Sequence, residues 1–208
     1  MNLGPDTIEH ATRRQRWDAA GSFEDRRDEI LKALGAVIQE RGVSGLTMDV
    51  IADRLGLVKG NLYYYFKSKQ DLIYHCHLKC MRTSLAALEQ IEGDEEPAAL
   101  KLRMLLIRHI RGIIEEGYGA VLLSDIEFLS SAQRQEYVAM RDRFERGVRV
   151  LIARGIEEGD FRDQDVKLAG FVALGAINWI PAWYRADGEL PSAEIAEGVA
   201  DFCLRGLR

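Results

Sequence analysis

Between Arg54 and Lys69 the chain carries Arg54, Lys59, Lys67 and Lys69, no acid, and the consecutive tyrosines Tyr63, Tyr64 and Tyr65. Ammonium, guanidinium and phenol groups in this mixture donate hydrogen bonds to phosphate oxygens, and Lys, Asn and Tyr heads also match the polar edges of bases. This is the chemistry of binding a polyanion rather than of moving protons. The net charge of −5 would argue against nucleic acid, but its distribution reverses that inference. Residues 1–69 hold 11 Lys/Arg against 10 Asp/Glu, and the remainder hold 17 against 23. Phosphate contact requires a locally positive face, not a positive sum.

A second constellation, His75-Cys76-His77-Leu-Lys-Cys80, puts two thiols and an imidazole at helical spacing. Such groups could hold Zn²⁺ or sense redox state, which is an alternative reading of the chain. A closed tetrahedral site needs a fourth ligand that no second motif offers, and buried cysteines commonly serve as small hydrophobes. No metal or other cofactor is therefore expected. No Walker loop, dinucleotide fingerprint, nucleophile elbow or HExxH pair occurs, and the carboxylate pairs Glu115–Glu116 and Glu157–Glu158 sit beside glycines at helix ends. An enzyme without a recognisable motif is the alternative of another class, and the expectation is that the chain is not an enzyme.

The elements that must position these residues read as helices throughout, since no strand-like alternation persists. Met1–Ser22 reads as a flexible arm, in which Arg13-Arg-Gln-Arg16 could reach a minor groove. A first helix is expected over Asp25–Arg41, with Ile30, Leu31, Leu34, Val37 and Ile38 on one face. Thr47 is placed to cap a second over Met48–Leu55, Gly56 to supply a turn, and a third is expected over Lys59–Tyr65. Ser68 and Asp71 form a capping-box pattern opening a fourth helix that runs to Ile91. Helical patterns resume at Ala98–Glu116, Val121–Leu129, Gln133–Glu158, Val166–Ala186 and Ala193–Leu207. The uncharged stretch Leu168–Tyr184 approaches the length of a membrane span, but it carries Asn178, Pro181 and glycines, and is read as a buried helix. Three widely spaced cysteines and no signal-peptide pattern point to the cytoplasm.

Two short helices joined by a glycine turn form a helix-turn-helix signature. Ala52 is small where the helices would cross; Ile51, Leu55, Leu57 and Leu62 would form the core between them. The third helix would then project Lys59, Asn61 and Tyr64 toward base edges, while Thr47, Tyr63, Tyr65 and Lys69 meet the backbone. Three consecutive tyrosines in a helix cannot all face a core, because successive residues lie about 100° apart.

Ile51-Ala-x-x-x-Gly56 followed by Gly60-x-Leu-Tyr-x-x-Phe-x-x-Lys69 resembles the DNA-binding domain of TetR-family repressors. The resemblance is close over 23–70 and extends in length and layout to the rest. It implies a homodimer on a palindromic double-stranded DNA operator, released by a small-molecule effector; the reading of 168–184 as a buried helix carries the separate expectation of no membrane partner. The resemblance also implies Thr47, Tyr63, Tyr65 and Lys69 as phosphate contacts, with Lys59, Asn61 and Tyr64 facing bases; Gly60 is expected among the DNA-binding residues. Asp49 departs from the pattern: some members read bases from that turn, whereas an acid avoids phosphates, which argues against base reading from the second helix.

The expected organisation is an all-α chain: an arm over 1–22, a three-helix DNA-binding domain over 23–70, and a larger effector-binding and dimerisation domain over 71–208. The last two helices are candidates for the dimer interface through Phe171, Leu174, Ile177, Ile195, Val199 and Phe202. Trp179 and Trp183, with Pro181 between them, could line an apolar effector pocket with Leu105, His109, Phe128 and Asn178. The segments Gly155–Arg162 and Asn178–Arg185 are similar to a TetR subgroup that controls fatty-acid or sterol breakdown. That similarity implies an acyl-coenzyme A thioester as effector, with Arg154 and Arg185 as candidate partners for its phosphates.

Overall fold

The structure is a computed structural model, and it describes residues 22–41, 45–93, 95–115, 119–122, 126, 129–185 and 187–208. The arm cluster Arg13–Arg16 and the pocket candidate Phe128 lie outside the described residues. Every described element is helical: α1 (Phe23–Arg41), α2 (Met48–Leu55), α3 (Lys59–Tyr65), α4 (Lys69–Glu92), α5 (Ala98–Glu115), α6 (Gly119–Leu122), α7 (Ser131–Glu157), α8 (Val166–Asn178), α9 (Ile180–Trp183) and α10 (Ser192–Leu207).

Helix α1 begins two residues before the expected start because Ser22 caps it. The Ser22 hydroxyl oxygen accepts from the Asp25 amide at 3.1 Å, and the Asp25 carboxylate accepts from the Ser22 amide at 2.9 Å. Ile30, Leu31, Leu34, Val37 and Ile38 are all buried, as their spacing requires, against Leu46, Ile51, Leu62 and Phe66. Gly56 ends α2 at φ 66°, a left-handed conformation that favours glycine, and its turn redirects the chain into α3.

Helix α4 joins the two halves of the molecule. Ser68 Oγ accepts from the Asp71 amide at 3.1 Å, but the Asp71 carboxylate accepts from Lys67 N rather than completing a box on Ser68. Lys79 pairs with Asp28 at 2.6 Å, tying α4 to α1. Farther along, α4 packs against α5 and α7 through Leu85, Leu88 and Ile91, which join one core with Leu102, Leu105, Val148 and Ile152. Helix α7 starts at Ser131 because Ser130 and Gln133 form a reciprocal capping box.

The expected continuous helix Val166–Ala186 is broken at Trp179 and ends at Trp183. Pro181 has no N–H to bond to the carbonyl four residues earlier, and the ladder stops there. Of the expected helix Val121–Leu129, the described residues include the end of the one-turn α6 and a turn at Ile126, while 123–125 and 127–128 lie outside the described residues. Helix α6 packs against α1, α4, α5 and α9. A Cβ on Gly119 would lie 2.5 Å from Ile113 Cγ2 and 2.9 Å from Pro181 Cγ, so α6 sits directly on the α8–α9 break.

Nor is 168–184 a buried helix. Only 28% of Val166–Trp183 is buried, and its outward stripe of Leu168, Phe171, Val172, Gly175, Ala176 and Trp179 recurs at intervals of three and four residues. One face of α8 packs on α7; the other is apolar and open.

Candidate nucleic-acid interface and effector core

Helix α3 has seven residues and buries only Leu62. A helix this short is not stable alone, so this anchor and the tertiary contacts around it hold it in place. Lys59, Gly60, Asn61, Tyr63 and Tyr64 are all exposed, Tyr64 at 73%. Gly60 lies near the middle of this face, and a Cβ built there would meet nothing within 4 Å. Nothing in the free protein therefore requires a glycine at that position, although glycine weakens a helix.

Tyr65 is half-buried and stacks on Phe23 with centroids 5.1 Å apart, while Tyr64 meets Phe23 edge-on at 5.7 Å. The N-terminus of α1 thus buttresses the tyrosine cluster, a role not legible in the sequence because Phe23 precedes the apolar periodicity of that helix. Thr47 Oγ accepts from the Val50 amide at 3.1 Å, which leaves its hydroxyl proton available to an external acceptor. Lys69 opens α4 and is half-buried. A further link across this face is not revealed by spacing alone: Lys59 Nζ donates to Asp49 Oδ2 at 2.8 Å, joining α3 to the first turn of α2. The hydrogen bond to Asp49 raises the Lys59 pKa, so the ammonium is firmly charged.

In the larger half, Leu105 and His109 are buried as neighbours on α5. His109 Nδ1 lies 2.8 Å from Ser84 Oγ, its ring is 4.6 Å from that of Phe144, and the Asn178 side chain also hydrogen-bonds to it. Burial lowers its pKa to about 4, against which the Asn178 bond acts weakly, so the imidazole is neutral at physiological pH. Ser84 was missed in the sequence, where nothing distinguishes it from a surface serine on a long helix. Trp179 and Trp183 do not join this cluster; they are 63% and 48% exposed, because the α8–α9 break turns both rings outward. Arg154 and Arg185 are exposed.

The expected dimer stripe divides. Leu174, Ile177 and Ile195 are buried within the protomer, Val199 is half-buried, and Phe171 and Phe202 are exposed. Leu174 and Ile177 lie on the side of α8 that packs inward, whereas Leu168, Val172 and Ala176 lie on the open side. A groove of about 390 Å³ runs along this open face, lined by Leu168, Val172, Ala173, Ala176, Phe202 and Cys203 among others.

Among the described residues the side chains of the metal or redox alternative do not converge. His75 turns toward Asp71, Nε2 to Oδ1 at 3.4 Å, while Cys76, His77 and Cys80 face the core. Burial pushes the Cys76 thiol well above its ordinary range, which disfavours the thiolate a metal requires. Among the described residues no group of three or more His, Cys, Asp or Glu converges.

A buttressed, nearly unburied short helix after a glycine turn, carried on a larger helical body, defines a helix-turn-helix DNA-binding regulator. Residues 30–76 match the family of bacterial regulatory proteins described as the tetR family, and 95–207 match the tetracyclin repressor-like C-terminal domain. The chain belongs to the TetR family. It is 34% identical to the TetR-family transcriptional regulator PfmR of Thermus thermophilus, whose crystal structure superposes with a TM-score of 0.76 over 86% of this chain and 98% of that one. It is 28% identical over 192 residues to the transcriptional repressor KstR2 of Mycobacterium tuberculosis, covering 90% of this chain and 96% of the relative. The structure of AibR in complex with isovaleryl coenzyme A and operator DNA shares the fold, with a TM-score of 0.72 at 22% identity over 85% of this chain and 97% of AibR.

Proposed function

We propose that this chain is a cytoplasmic transcriptional repressor, which acts by binding rather than catalysis. As a homodimer it sets two copies of α3 into successive major-groove turns of a palindromic operator, and it is released by an acyl-coenzyme A thioester. The observation that carries the DNA reading is the exposed face of α3, five of whose seven side-chain positions are open to an external partner. Thr47, Tyr63, Tyr65 and Lys69 position the helix on phosphates; Lys59, Asn61 and Tyr64 face bases; Gly60 admits the helix deeply into the groove. Binding to two half-sites about 34 Å apart requires two-fold pairing, and the open face of α8 and α10 supplies the apolar surface for it.

The effector reading draws on AibR, which was crystallised with an acyl-coenzyme A, and on the make-up of the helical core. Ser84, His109 and Asn178 place a neutral polar cluster beside Leu105 in otherwise apolar surroundings. Such a combination orients one polar group of a largely apolar ligand.

Gel-shift titration on the DNA upstream of the gene tests the first part. Salt-sensitive, sequence-selective binding is expected, with selectivity lost in Tyr64→Ala and affinity lost uniformly in Lys69→Ala. A changed sequence preference in Lys69→Ala would overturn its role as a phosphate contact. Calorimetry with a chain-length series of acyl-coenzyme A thioesters tests the second part, and absence of submillimolar binding across the series would remove it.

A further inference from the structure

We infer that Asp49 and Lys59 form one composite reading element that selects a G·C base pair in each operator half-site, with Lys59 directed to guanine and Asp49 to cytosine. The inference rests on the DNA-binding reading above and extends base recognition to α2, against the expectation that an acid excludes that helix from it. The two side chains belong to different helices of the motif, and their heads meet at 2.8 Å while remaining 49% and 62% exposed. Exposed ion pairs contribute little to folding, so stability does not account for this one.

The pairing removes the objection to an acid near phosphates, because the lysine neutralises the carboxylate before DNA arrives. The bond engages Oδ2, and Oδ1 accepts none of the hydrogen bonds found among the described residues. Lys59 likewise retains two of its three ammonium protons for other acceptors. The element therefore presents two donors followed by one acceptor.

In the major groove, a G·C pair displays in order the acceptors N7 and O6 of guanine and the N4 amino donor of cytosine. An A·T pair displays acceptor, donor, acceptor, which sets the adenine amino group against the ammonium. The order on the protein fits G·C. Gly60, adjacent to Lys59, has open space where a Cβ would project, so no side chain holds the two heads away from the base edges.

The test is selection of palindromic duplexes from a randomised pool by the full-length protein, repeated with Asp49→Ala and Asp49→Leu, neither of which offers a side-chain acceptor. The wild type is expected to require G·C at one symmetric position in each half-site. Both variants lose the preference there by about 5- to 150-fold and keep it elsewhere. With 7-deazaguanine at that position the wild type weakens, whereas Lys59→Met is indifferent. Circular dichroism confirms that the variants fold, and the second substitution serves should the first fray α2. The inference is overturned if the variants select the same bases as the wild type at every position, or if they bind all sequences more tightly by one common factor. The latter result would make Asp49 a simple repulsive charge. If the wild type enriches no sequence, the DNA-binding reading falls too.

Discussion

Acidification should destabilise this protein well above the pH at which its carboxylates titrate, because two histidines are folded into its core uncharged. His77 is fully buried against the Tyr137 ring, with centroids 4.6 Å apart, and burial lowers its pKa to about 4. His109 is lowered to about 4 by the same cause. Unfolded, both would titrate near 6.5. Between these values the unfolded chain binds more protons than the folded one, so stability is complete above pH 6.5 and is lost as pH falls toward 4. Linkage with these values gives about 2 kcal/mol per histidine at pH 5, or about 4 kcal/mol together. For a chain of this size that corresponds to a fall in Tm of roughly 8–16 °C. Half-buried His75, also lowered chiefly by burial, acts in the same direction. The assay is thermal unfolding followed by circular dichroism at pH 7.5, 6.5, 5.5 and 5.0, at fixed protein concentration because dimerisation adds to Tm. A Tm that stays within about 2 °C between pH 7.5 and 5 would refute the reasoning. So would a His77→Phe/His109→Gln variant that loses as much as the wild type over the same interval.

Gly60→Ala should raise thermal stability by about 0.5–1 kcal/mol, since the methyl meets nothing and helix propensity improves, while weakening operator binding. Unchanged affinity by fluorescence anisotropy would show that the open space has no role in docking. Phe202→Asp, at a side chain 72% exposed, should leave the protomer folded but shift it toward monomer and abolish tight palindrome binding. Sedimentation of an intact dimer at micromolar concentration would remove the α8–α10 face as the interface. In Gly155→Ala the new methyl would lie 2.3 Å from the ring of buried Phe161, so a net loss of about 1–2 kcal/mol is expected by urea denaturation.

The reading motif was legible because its elements announce themselves locally: Thr47 as a cap, Gly56 as the left-handed turn, Leu62 as the anchor, and too many tyrosines for one buried face. What escaped depends on contacts between elements. Phe23 meets Tyr64 and Tyr65 only once α1 lies across α3, and Asp49 meets Lys59 only after the turn closes. Helix α8 shows a different failure. Apolar residues surround it, so Phe171-Leu174-Ile177 and Leu168-Val172-Ala176 are equally good stripes, and composition alone does not say which one faces α7. Trp179 and Trp183 are four apart as expected, but Pro181 breaks the ladder between them, and neither ring points into the core. Ser84 and His109 lie 25 positions apart, and only the packing of α4 on α5 brings them together.

With Leu62 as its single fully enclosed residue, α3 is almost uncoupled from the thermodynamics of the scaffold. Substitutions at 59, 60, 61 and 63 can accumulate without eroding the fold, so a duplicated gene could acquire a new target while its product still folds and responds to the same inducer. The same independence makes this heptad a natural cassette for redesign: recognition can be rewritten there and the sensing half left as it stands.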